Sequence, residues 1–171
     1  MQQINKYILK KAMEAGICEP WADMITDTES VDGLLKMYVK GIDFCLAKNF
    51  PSNADLLRLG RDRLSNYGIY IDKGITGAPG DFVVLLGGCR ANLHIDGFSA
   101  NQLFVKHTTT ANINVAGNAF VMIDCFDNAV LNVTASGNSK VVVNVYKYAQ
   151  VTNESKDGAI IKIVHKNKST Y

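Results

Sequence analysis

From Ala119 to Lys168 the sequence falls into five lines of ten residues: AFVMIDCFDN, AVLNVTASGN, SKVVVNVYKY, AQVTNESKDG and AIIKIVHKNK. The first column holds only small residues (Ala119, Ala129, Ser139, Ala149, Ala159). The third holds only aliphatic ones (Val121, Leu131, Val141, Val151, Ile161). A fixed period of this kind marks a repeat array, in which each unit buries its apolar face only by stacking on its neighbours. A β-sandwich ranks second, because its hairpins would not require such columns.

Upstream, two kinds of strand alternate. Polar-alternating strands start at Ala91, Ala111, Ala129 and Ala149, with steps of 20, 18 and 20 residues. Nearly all-apolar strands cover 82–86, 103–105, 120–123, 141–143 and 160–163. Two principal strands per coil of about twenty residues predict a right-handed parallel β-helix of four to five coils. Its turns fall at Gly117-Asn118, Asp127-Asn128, Gly137-Asn138 and Asp157-Gly158, residue types that accept left-handed backbone.

Alternation assigns the faces. In the polar strands Leu93, Ile95, Ile113, Val115, Leu131 and Val133 point inward, leaving Asn92, His94, Asn112, Asn114 and Asn132 as a solvated ladder. In the apolar strands Leu103, Val105, Val121, Ile123, Val141, Val143, Ile161 and Ile163 point inward. Phe104, Phe120, Met122, Val142 and Ile160 are then left outside. A sheet apolar on both faces calls for a cover: the chain's own helices, a second copy or a foreign protein. Those five outward residues are the candidate interface, and the Asn/His ladder is the candidate polar binding face. In the final lines Asn153, Ser155 and His165 occupy core columns and would close the last coil.

The first 68 residues read as a small helical domain, 69–81 as a connecting strand and hinge, and 82–171 as the solenoid, making the class α+β. Helical spacing of Ile4, Tyr7, Ile8, Ala12 and Ala15 ends at Gly16; Pro20 opens a short second helix. From a Ser30 cap, Val31 to Leu46 trace one apolar face over four turns, and Asn49 ends it. Ser52 with Asp55 resembles a capping box for a fourth helix carried by Leu56, Leu57, Leu59 and Leu64 to Tyr67. The helices would cap the first coil. Glu19, Asp23 and Asp27, spaced four apart, read as a solvated face, with no His beside them to suggest a metal.

Hydrophobic content of 47% and 20% charged residues suit a chain that buries a core. A net charge of +2, with neither half polarised, argues against general nucleic-acid binding. Cys18, Cys45, Cys89 and Cys125 form no C-x-x-C pair and read as reduced thiols. With no signal-peptide pattern and no run of transmembrane length, cytoplasmic placement is the expectation.

Phosphate-binding, dinucleotide, zinc-protease and nucleophile-elbow motifs are absent. Pentapeptide-repeat and hexapeptide-repeat periods do not occur either. Asp96, Asp124 and Asp127 are the acids of the central coils. Glycosidase chemistry needs two carboxyls at a defined separation, and Asp127 sits in a turn. Gly87-Gly88-Cys89-Arg90 is a turn beside a thiol with no assured base, and Tyr146-Lys147-Tyr148 could stack on a sugar. No catalytic residue, metal or cofactor is expected.

The runs Gly16-Ile17-Cys18-Glu19-Pro20-Trp21, Gly41-Ile42-Asp43-Phe44-Cys45-Leu46 and Asn49-Phe50-Pro51-Ser52 resemble uncharacterised proteins of gut Bacteroidetes, often carried on prophages or other mobile elements. The similarity continues through Gly137-Asn138 and Tyr146-Lys147-Tyr148. The resemblance implies a small accessory protein acting on host proteins and assigns no site residue. The expectation is thus a non-enzymatic protein-interaction or assembly protein, in the host cytosol if phage-encoded. A glycan-binding module is the alternative and a polysaccharide-active enzyme ranks third. The partner would be a protein or a second copy, with a glycan next and neither nucleic acid nor membrane expected.

Overall fold

The computed structural model describes residues 2–171, which form two compact units: a helical one ending at Tyr67 and a β-solenoid over Gly68–Thr170. In the helical unit α1 (Gln2–Ala15) stops at Gly16, whose φ of 86° a side chain would resist. Next, α2 (Glu19–Asp27) carries Pro20 in its first turn. Ser30 caps α3 (Val31–Lys40) by accepting from Gly33 N–H.

The continuous apolar face predicts one helix from Val31 to Leu46, but the chain bends at Gly41 and resumes as α4 (Ile42–Lys48). Gly41 N–H still donates to Met37 O, and Cys45 N–H to Gly41 O. A Cβ at Gly41 would stand 3.2 Å from the Trp21 ring, so the aromatic packs where the side chain is missing. Asn49 ends α4 in the left-handed region. Ser52 caps α5 (Asn53–Gly60), and its hydroxyl also donates to Asp55. This helix stops short of Tyr67: Leu64 fills the space that a Cβ on Gly60 would need, and a 3-10 helix covers Arg61–Tyr67. Ile8, Ala12, Ile25, Leu34 and Phe50 form a core of this unit.

The solenoid strands are β1 (Ile69–Ile71), β2 (Gly74–Gly77), β3 (Phe82–Leu86), β4 (Arg90–Ile95), β5 (Ala100–Val105), β6 (Thr110–Val115), β7 (Phe120–Cys125), β8 (Val130–Ala135), β9 (Lys140–Val145), β10 (Gln150–Ser155) and β11 (Ile160–His165). Odd strands stack in one parallel sheet, β1-β3-β5-β7-β9-β11, and even strands in a second, β2-β4-β6-β8-β10. The result is the expected α+β arrangement, with about twenty residues per solenoid turn.

Two details differ from the sequence expectation. The period has no 18-residue step: Ala111 pairs with Leu131, and Leu131 with Val151. Ala129 lies in the preceding turn. Segment 69–81 is not only a hinge, because β1 pairs with β3 and β2 with β4, making these strands the first coil.

The two invariant columns have separate causes. Val121, Leu131 and Val141 point into the core between the sheets. The small residues close tight turns, with Ala119 N–H donating to Ala116 O, Ala129 to Phe126 O and Ser139 to Ser136 O. Each of these three is buried, as is Thr109 one coil before Ala129, so the position takes a small side chain. Positive φ recurs one residue after the turn opens, at Gly117, Asp127, Gly137 and Asp157. One turn departs from the rule: in Tyr146–Ala149 the positive φ falls on Tyr148, and Lys147 N–H bonds forward to Lys168 O. At the last coil Val151, Ile161 and Ile163 are half-buried, while Asn153, Ser155 and His165 are exposed.

Candidate functional site

The outer face of the odd-strand sheet is the first candidate. The five residues expected outside do not share one fate. Phe104 is fully buried, its ring 5.4 Å from that of Phe82 in the neighbouring strand, so it is not available as an exposed interface residue. Alternation tells which side of a sheet a residue takes, but not whether that side meets water.

Farther along, the face opens. Phe120 is 42% exposed and Ile160 57%, and Met122 and Val142 are half-buried. Phe120 and Ile160 lie in one register column, on either side of exposed Lys140. Met122 and Val142 are partners in the next column. Sequence reading missed Phe98, which is 91% exposed in the turn before β5. Its neighbour Ser99 accepts from Phe120 N–H, so the Phe98 backbone lies one residue from the start of the open strip. A lone aromatic in a Gly-Phe-Ser turn was the available signal.

The even-strand sheet carries the polar ladder. Asn92, Asn112, Asn132 and Thr152 occupy one register column. Asn132 Nδ2 donates to Asn112 Oδ1 at 2.8 Å and Asn132 Oδ1 accepts from the Thr152 hydroxyl. His94 and Asn114 share the adjacent column, and all five ladder residues of the expectation are exposed. Part of this polar capacity is therefore spent within the column, holding the coils in register.

Along the turns that follow the odd strands lies a charged group that no motif signalled. Lys106 Nζ, with its side chain 3% exposed, is 2.9 Å from Asp127 Oδ2 and 5.5 Å above the Phe126 ring. Phe126 stacks on Tyr146 with centroids 4.3 Å apart. His107 donates its backbone N–H to Asp127 Oδ2, and its Nδ1 accepts from Gly87 N–H at 3.0 Å. Burial, and then the Lys106 ammonium, hold this imidazole below its ordinary pKa. These bonds join one coil's turn to the next.

The carboxylates are similarly engaged. Asp124 is buried and accepts from Asn144 Nδ2 at 2.8 Å, and Asp96 accepts from Gly97 N–H. Among the described residues no group of three or more His, Cys, Asp or Glu could hold a metal ion. No helix among the described residues is long and apolar enough to cross a membrane.

All four cysteines are free, with Cys18 exposed and the others buried. Burial pushes the Cys45 and Cys125 thiols up to about 12, with Asp124 and Asp127 adding to the shift of Cys125. Burial also raises Cys89. Near pH ~8, where ordinary thiols are partly ionised, a chromogenic disulfide should therefore label one cysteine of the native chain quickly and four after denaturation. Rapid modification of a second native thiol would contradict this assignment.

The fold and its faces define a β-solenoid protein preceded by a helical unit. No protein-family model, curated protein or solved structure matches the chain.

Proposed function

We propose that the protein works by binding another protein through the open strip of the odd-strand sheet, and not by catalysis. The observation that carries this is the exposure of Phe120 and Ile160 in one column, with Phe98 exposed in the turn before β5. Large apolar side chains on a rigid sheet supply contact area without much ordering cost, which is how interface anchors act. Lys140 between them forms no ion pair among the described residues, favouring a partner that brings a carboxylate among apolar side chains. The engagement of Asp124 and Asp127 by Asn144 and Lys106 supports a binder over a carboxylate-based hydrolase. Three buried thiols fit a reducing compartment.

The resemblance to mobile-element proteins makes a host protein the first partner to seek. Tagged protein should capture it from a gut Bacteroidetes lysate, and the purified partner can then be titrated. Phe120→Asp with Ile160→Asp is expected to weaken that binding by about 100-fold or more while the circular dichroism spectrum stays unchanged. Unaltered affinity would remove the strip from the function. Glycan binding lost on changing Asn92, Asn112 and Asn132 would move the function to the ladder.

A further inference from the structure

Among the described residues, no strand pairs with the outer edges of β10 and β11. β11 lies at the edge of its sheet and β10 at the edge of the other. The ladder bonds show which backbone groups are unspent. Gln150 and Lys156 N–H reach back to Ala129 O and Ala135 O; Ile160 and Lys166 N–H reach back to Ser139 O and Val145 O. In a strand these directions alternate, so the N–H and C=O groups of Val151, Asn153, Ser155, Ile161, Ile163 and His165 face away from the solenoid. The half-buried side chains of Val151, Ile161 and Ile163 lie between the two edges.

We infer that this end is a self-association surface, taken by the same end of a second copy related by a two-fold axis. An extended peptide could satisfy only one edge, whereas another solenoid end presents two at the matching separation. The opposite end does not match: β1 and β2 have three and four residues, against six each in β10 and β11.

Charge selects the pairing. With β11 antiparallel to β10 of the second copy, core-facing residues must oppose core-facing residues. The register that sets Ile163 against Asn153, and Ile161 against Ser155, also sets Lys162 against Glu154 on the outer face, and the two-fold axis repeats that contact. Glu154 otherwise holds Lys156 at 3.3 Å in an exposed pair, which is weak and easily exchanged. Each six-stranded sheet would then continue into the five-stranded sheet of the second copy. Asn153, Ser155 and His165 in the joint make it less apolar than the core, so the association should be reversible.

Light scattering on the full chain from about 1 to about 200 μM is the direct test. The mass should rise from 18.7 kDa toward twice that value. Asn153→Pro with Ile163→Pro removes two outward donors while sparing the bonds to the preceding coil, and should hold the chain at 18.7 kDa. Should that variant unfold, the charge variants decide. Glu154→Lys alone and Lys162→Glu alone should each weaken dimerisation about tenfold, because two attractive contacts become repulsive. An equimolar mixture of the two should restore it, since the heterodimer regains both opposite-charge contacts. A wild-type chain that stays at 18.7 kDa throughout, or a dimer indifferent to both charge changes, overturns the inference.

Discussion

Replacing Asp127 by asparagine is expected to destabilise the solenoid by about 2–3 kcal/mol. The change keeps the side-chain shape, and asparagine accepts the left-handed backbone that Asp127 adopts, so the loss reports on charge. Lys106 would remain nearly out of water with its carboxylate partner gone. Removing one member of a buried pair costs more than the pair contributes, because the other keeps its desolvation penalty. The expected value lies below the roughly 3–5 kcal/mol typical of a broken buried pair because the Asp127 side chain is 32% exposed and water can partly replace it. The Phe126 ring face gives the ammonium a second, weaker partner.

Lys106→Met should cost less, about 1 kcal/mol, since the carboxylate then keeps the His107 N–H and water. The double change should recover most of the loss. Urea unfolding followed by circular dichroism would give all three values. A loss below about 0.5 kcal/mol for Asp127→Asn would mean that the pair is not effectively buried.

The pair also shows where sequence reading stops. Lys106 and Asp127 are 21 residues apart, one more than the period. They belong to different columns and meet only because successive turns stack. The columns themselves were legible, because a parallel ladder in constant register repeats the demand for the same residue type at each coil. The turn residues were legible for the same reason. The second strand of the first coil was not: Gly74-Ile75-Thr76-Gly77 has too little apolar pattern to read as a strand, and its pairing with β4 recruits it. Asn101 is a further case, an inward amide in a core column, with its Nδ2 donating to Gly80 O. Such a residue breaks the alternation that would have extended β5 to Ala100.

On the candidate strip, sequence gave the side of the sheet for every residue but not its exposure. Phe104 and Phe120 both face outward, yet one is buried and the other is not. That difference arises from tertiary surroundings, to which a period of two is blind. The helix break at Gly41 has the same character. The apolar face runs through it unbroken, and the bend is visible only once Trp21 is seen against the glycine.

Position along the solenoid should matter as much as residue type. Leu131→Ala is expected to cost about 3 kcal/mol, within the range for emptying a packed core site. Leu131 is fully buried between Ala111 and Val151 in its column, and Ala111 is too small to move into the space. Val151→Ala, one coil farther along the same column, should cost less than about 1 kcal/mol. There the side chain is already half in water, so removing it exposes little and leaves no enclosed cavity. The extra carbon of leucine explains only about 0.8 kcal/mol of the gap. The remainder comes from the one-dimensional build of the molecule, in which an inner coil is held from two sides and an end coil from one. The end coil can then fray without unzipping its neighbours, so Val151→Ala should speed hydrogen exchange in β10 and leave β6 protected. Equal destabilisation by the two substitutions, or loss of protection throughout the solenoid from Val151→Ala, would mean that the coils unfold as a single unit.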